Sequence, residues 1–128
     1  MIYVDSSVLL AALLAEDRRP PDAFWSQPLV TSRLSDYEVW VRIHAWDTAS
    51  PLGEEVSRLL GRLRHLELEP RVLDRLRSPL PAIVRTLDAI HLASALFLAD
   101  RQPGTRLATY DRRLAHTAVA SDLEAFEP

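Results

Sequence analysis

The sequence predicts an α/β fold, a three-layer α/β/α sandwich with a central parallel sheet. Short β-branched or aromatic runs alternate with longer helix-forming runs along the whole chain. Strands separated by a helix's length of chain pair in parallel through a crossover. The 128 residues, 48% hydrophobic and 26% charged, suit one globular domain over 1–128 with a core of its own. No repeat, low-complexity segment or linker divides it.

Ile2-Tyr3-Val4-Asp5 reads as a buried first strand. Asp5-Ser6-Ser7 are cap-type residues before Val8 to Ala15, a helix former that is apolar almost all round and so buried. Arg19-Pro20-Pro21-Asp22 breaks the helix, and Ala23-Phe24-Trp25 forms a short turn of helix. Leu29-Val30-Thr31 is a second strand, after which Ser32 or Ser35 opens a helix through Trp46. Ser50-Pro51 ends that segment, and a further amphipathic helix runs from about Leu52 to Arg64. Leu66-Glu67-Leu68-Glu69 alternates with period two, as a half-exposed strand does. Pro70, Pro79 and Pro81 bracket an irregular stretch. Thr86 caps a very apolar helix from Leu87 to about Asp100, and Gln102-Pro103-Gly104 is a turn. Arg106 to Thr109 is a strand, Asp111 caps a last helix through Ala118, and Leu123 to Phe126 is a marginal strand.

Composition removes several chemistries. There is no cysteine, which excludes disulfides, thiol nucleophiles and Cys-ligated zinc. All 15 positive side chains are arginine, which excludes Schiff bases and a P-loop lysine. The three glycines, Gly53, Gly61 and Gly104, form no phosphate-cradling run. A net charge of −3 does not suit coating nucleic acid by charge alone, although clustered arginines permit a local basic rim. Val8 to Ala15 is too short to span a membrane and follows Asp5 without a basic leader, so the expectation is a cytoplasmic protein without membrane contact.

In parallel α/β sheets a ligand site lies beyond the carboxyl ends of the strands. Asp5 ends the first strand and Asp111 follows another. Asp88 opens the most apolar helix, and Glu38 lies in the helix after the second strand. Each has a plainer reading. Asp111 is equally an N-cap, Asp88 complements a helix dipole, Glu38 pairs with Arg42 at i+4, and Asp5 caps a helix that Ser6 or Ser7 can cap without an acid. Glu38, however, shares an apolar stripe with Leu34, Tyr37, Val41 and Ala45, from which Asp36 is absent. A buried carboxylate there needs a partner. Acids brought together repel and raise one another's pKa unless a cation joins them. All-oxygen donors select hard ions, Mg²⁺ or Mn²⁺, and the natural chemistry of such a site is phosphodiester hydrolysis.

With these residues in view, the sequence resembles PIN-domain ribonucleases, and among them the VapC-type toxins of bacterial toxin–antitoxin pairs. The resemblance runs over the whole chain. It is carried by Ile2 to Ser7, by Arg85-Thr86-Leu87-Asp88-Ala89-Ile90-His91-Leu92-Ala93, by Ala108 to Leu114, and by the order of these blocks. It implies a PIN-like fold and a Mg²⁺- or Mn²⁺-dependent endoribonuclease, with Asp5, Glu38, Asp88 and Asp111 as metal-holding catalytic acids. Ser7 and Thr109 match polar positions that orient a carboxylate or a water, and with Arg112 they are the candidate substrate contacts. It further implies an RNA substrate, a cognate antitoxin and a homodimer.

His91, one turn after Asp88, is either a general base or hydrogen-bonded to a nearby carboxylate. His44, His65 and His116 are surface or packing residues. Arg85, Arg112 and Arg113 can form a positive rim, with an exposed helix face as the plain reading of Arg113. Trp25, Trp40 and Trp46 are core residues by default; Trp40 and Trp46 also suit a partner surface. An aspartyl-nucleophile phosphatase is disfavoured, because that family wants a second aspartate where Ser7 stands and a downstream lysine. A non-catalytic PIN-like binding module is the remaining alternative, and it predicts no Mg²⁺ or Mn²⁺ binding.

Overall fold

The computed structural model describes residues 1–46 and 49–128. Among the described residues, five strands form one sheet, all pairs parallel: β1 (Ile2–Val4), β2 (Leu29–Ser32), β3 (Arg64–Leu66), β4 (Arg106–Ala108) and β5 (Ala125–Phe126), in the order β3-β2-β1-β4-β5. The helices are α1 (Ser6–Leu13), α2 (Arg33–Ala45), α3 (Ala49–Gly61), α4 (Pro70–Leu73), α5 (Thr86–Arg101) and α6 (Arg112–Ala120). From central β1 the chain moves to β2 and β3 on one side, then crosses to β4 and β5 on the other. The strand order therefore reverses between β1 and β4, where a crevice opens at the carboxyl ends.

Alternate residues of β1 face opposite layers, as the two-residue strand period requires. Ile2 and Val4 join α1, α2 and α3 in one core, with Val8, Leu9, Val39, Ile43 and Val56. Tyr3 joins α5 and α6 in the other, with Leu92, Leu96, Leu107, Leu114 and Ala118. The three layers expected from the sequence are present. Among the described residues, no helix is long and apolar enough to cross a membrane.

Several boundaries differ from expectation for identifiable reasons. α1 ends at Leu13 because Ala15 takes a left-handed conformation, φ 50°. Its N–H bonds Ala12 O, and that of Glu16 bonds Ala11 O at 3.0 Å, a Schellman closure normally made with glycine. Ala15→Gly is therefore expected to raise stability by about 0.5–1 kcal/mol, the left-handed penalty less the extra freedom of unfolded glycine. A urea midpoint that stays or falls would contradict this.

Pro51 lies in the first turn of α3, where its missing N–H costs nothing, and so does not end a helix; Asp47 and Thr48 before it lie outside the described residues. The third strand is Arg64–Leu66, not Leu66 to Glu69, because pairing with β2 sets it: Val30 meets Arg64 and Ser32 meets Leu66. Pro70 starts a helical turn at its N1 position, so the proline-bracketed stretch holds α4 and a 3-10 turn over Asp74–Arg77. Arg85, not Thr86, occupies the N-cap of α5.

Candidate active site

β1 ends at Val4, and the next residue does two things. Asp5 Oδ1 accepts from the N–H groups of Ser7 (3.1 Å) and Val8 (3.4 Å), capping α1, and from the Ser7 hydroxyl at 2.6 Å. Its Oδ2 accepts from the Thr109 hydroxyl at 2.7 Å. Thr109 follows β4, and its oxygen accepts from the Asp111 N–H at 2.9 Å, while the Ser7 oxygen accepts from the Tyr110 N–H at 3.0 Å. Two hydroxyls thus tie the ends of β1 and β4 together around one carboxylate. Ser7 also lines the cleft above, whereas Thr109 is buried.

Asp111 caps α6 through Oδ1, from the N–H groups of Arg113 (2.8 Å) and Leu114 (3.1 Å). The cap and the site readings of Asp111 and of Asp5 are therefore compatible. Behind Asp111, the Tyr110 hydroxyl donates to Pro128 O at 2.8 Å, and Arg18 stacks on the Tyr110 ring 4.7 Å from its centre.

Asp88 sits in the first turn of α5, whose buried residues include Ala89 and the unbroken run His91 to Leu96, so the helix is covered on most sides as its composition suggested. Glu38 arrives differently from expectation. The buried line of α2 is Ser35, Val39 and Ile43, while Tyr37 and Val41 are 64% and 69% exposed. The supposed apolar stripe therefore faces largely outward, and Glu38 stands at the rim of the true buried face. Its partner is His91, whose Nε2 lies 2.5 Å from Glu38 Oε1, while Arg42 stacks toward Trp46. The other ring nitrogen, Nδ1, lies 2.8 Å from the Tyr3 hydroxyl. His91 is thus the carboxylate-bonded histidine; both ring nitrogens are committed within the fold.

One cleft of about 440 Å³ is lined by Asp5, Ser7, Glu38, Asp88 and Asp111, with Arg42, Arg85, Thr86 and Leu87 at its walls. It adjoins a cavity of about 620 Å³ lined by Arg85, Arg112, Arg113, Tyr110 and Ile83. The four predicted acids therefore share a site, and the three rim arginines line the cavity beside it. Trp25 and Trp40 pack against the core and Trp46 is exposed. His44 stacks on Trp40, His116 is exposed, and Nε2 of His65 is buried without a hydrogen bond.

Electrostatics follow from this geometry. Burial pushes the Asp5 carboxyl above its ordinary value, against the opposing pull of His91 and its hydroxyl partners. Asp88 is also raised, first by burial and then by the charges of Asp111 and Glu38. For His91 the largest single effect, burial, pulls the pKa down, but Glu38 and the more distant Asp5 and Asp88 outweigh it and the net shift is upward. Among the described residues, no group of three or more acids or histidines is already assembled to hold a metal ion. What the residues supply is an oxygen-only donor set whose charges strain one another, which fits a hard divalent ion rather than zinc.

Tyr3 and its link to His91 escaped sequence reasoning. The available signal was a tyrosine inside a buried strand, because a buried hydroxyl needs a hydrogen-bonding partner.

Fold and site together define a parallel α/β protein with an acid-lined crevice at its switch point. A model of the PIN domain matches residues 2–120, and the chain belongs to the PIN domain family. It is similar to Ribonuclease VapC35 of Mycobacterium tuberculosis (strain H37Rv), 34% identical over 135 residues that cover 100% of this chain and 97% of that one. Ribonuclease VapC46 of the same strain is 34% identical over 132 residues, 99% of this chain and 97% of that one. Among solved structures, the fold matches a chain of VapBC2 from Rickettsia felis bound to a DNA fragment from their promoter, with TM-score 0.69 and 13% identity, covering 100% and 99% of the two chains. It also matches VapBC-1 from nontypeable Haemophilus influenzae, with TM-score 0.62 and 16% identity, covering 99% and 98%.

Proposed function

We propose that this chain is an endoribonuclease that hydrolyses RNA phosphodiester bonds as the toxin of a toxin–antitoxin pair. The observation that carries the chemistry is the convergence of Asp5, Glu38, Asp88 and Asp111 on one cleft at the switch point of the sheet. The full-length likeness to proteins named ribonucleases supports RNA as substrate. It also disfavours the alternative, a PIN-like binding module without catalysis.

In this reading the four acids hold Mg²⁺ or Mn²⁺. When bound, such an ion lowers the pKa of water and steadies charge on the leaving oxygen. The chain's own groups do the rest. Ser7 and Thr109 fix Asp5 in one orientation, and Arg85 and Arg112 hold substrate phosphates along the adjoining cavity. Tyr37, Val41 and Leu87 are exposed apolar side chains, the kind of surface a protein partner covers, which supports a cognate antitoxin and a homodimer. The whole of 1–128 acts as a single domain in the cytoplasm.

The test is purified protein, freed of any partner, incubated with RNA under Mn²⁺, Mg²⁺ or excess EDTA. Cleavage with either ion and its loss in EDTA is the expected result. Equal cleavage in EDTA would remove the metal from the mechanism. RNA left intact under both ions would return the chain to the binding-module reading.

A further inference from the structure

Tyr3 and His91 lie beneath the acid cleft, 0% and 1% exposed. A carboxylate that is to ligate an ion can only accept hydrogen bonds, so in that role the 2.5 Å contact to Glu38 Oε1 calls for a proton on His91 Nε2. A neutral ring then leaves Nδ1 to accept from the Tyr3 hydroxyl at 2.8 Å, whereas a charged ring donates from Nδ1 to the Tyr3 oxygen. Nε2–H points at Glu38 in both states, so the arrangement does not depend on how His91 titrates.

The anchor of this chain of bonds is rigid. Tyr3 is in the central strand, in register with Val30 on one side and Leu107 on the other. Its ring packs edge-on against the imidazole, 6.0 Å between centroids at 66°. α2, which carries Glu38, has no side-chain hydrogen bond at its own N-cap. The bond from His91 ties Glu38 to α5 and, through Tyr3, to the middle of the sheet.

We infer that Tyr3 and His91 are positioning residues: the directed contacts from the Tyr3 hydroxyl through His91 to Glu38 hold that carboxylate in the cleft in one orientation, ready to ligate a divalent ion. This rests on the metal-dependent reading above and deepens it. Outer hydrogen bonds of this kind orient ligands and typically affect metal affinity about 10–100-fold when removed. His91 contacts neither substrate nor ion in this scheme; it acts only through Glu38.

The test compares wild type with H91Q, H91N and Y3F by calorimetric titration of Mn²⁺ at fixed pH, each protein first checked for cooperative unfolding. A glutamine amide reaches the place of Nε2 and can donate to Glu38; an asparagine amide reaches only the place of Nδ1. H91N is expected to weaken Mn²⁺ binding about 10–100-fold and Y3F about 10-fold, while H91Q recovers most of the affinity. Wild-type affinity in H91N overturns the inference, as does a folded H91Q as weak as H91N. A second readout needs neither metal nor variant. The long-range ¹H–¹⁵N spectrum of the metal-free wild type must place a proton on His91 Nε2, and a proton found on Nδ1 alone overturns the inference even if the substitutions unfold the protein. A wild type that shows the Nε2 proton but binds no Mn²⁺ overturns the metal-dependent reading itself, and the ligating role of Glu38 with it.

Discussion

Asp5→Asn is expected to cut RNA cleavage by about 10²–10³-fold or more, the scale seen when one preorganised charge is removed from a reacting centre. The substitution is unusually clean here. Asparagine is as good an N-cap as aspartate, so its carbonyl oxygen can keep the contacts to Ser7 and Val8. Only the negative charge and the acceptor facing Thr109 change. Burial raises the folded pKa of Asp5 above its ordinary 3.8. The contribution of this group to stability is therefore complete below that ordinary value and is lost as pH rises through the raised one. At neutral pH, without metal, Asp5→Asn should be at least as stable as wild type. Added Mn²⁺ should reverse the order, because the wild type gains stability by binding and the variant gains far less. Thermal melts of both proteins with Mn²⁺ and with EDTA check this. A variant that cleaves at the wild-type rate would take Asp5 out of the mechanism.

Leu92→Ala is expected to cost about 2–5 kcal/mol, as burying and then emptying a leucine site does in close-packed cores. Leu92 is fully buried in α5 and belongs to the core cluster of Tyr3, Leu107 and Leu114. With total stabilities of about 5–15 kcal/mol for a domain, this single change removes a large share. The urea midpoint should fall with an unchanged slope. A loss below about 1 kcal/mol would mean that α5 is not packed on the sheet as described.

The parts of the molecule written by local chemistry are the parts the sequence discloses. Asp5 and Asp111 each stand between a short apolar strand and a helix they cap, so their position at a strand end follows from residue types alone. The apolar run after Asp88 likewise announces a buried helix. Glu38 is in the cleft for a reason the periodicity does not hold. Tyr37 and Val41 suggest a buried stripe, yet they face solvent, and the buried line includes a serine. A helix that meets the core on one side and exposes apolar side chains on another carries no single stripe. The Tyr3–His91–Glu38 contacts span 88 and 53 residues of chain, and such pairings exist only once the sheet is assembled. The third strand departs from its own alternation for the same reason: its register belongs to β2.

The order of strands also has a temporal meaning. Of the five strands the central one is made first, but its neighbour β4 comes about a hundred residues later, and Thr109, which steadies Asp5, is 104 positions downstream. Domains emerge and fold from the N-terminus, and contacts between distant segments form last. An interrupted translation product, halted before β4, carries three of the four acids on an unclosed sheet. The cleft that these acids line is therefore closed only after β4 has been made and has paired with β1.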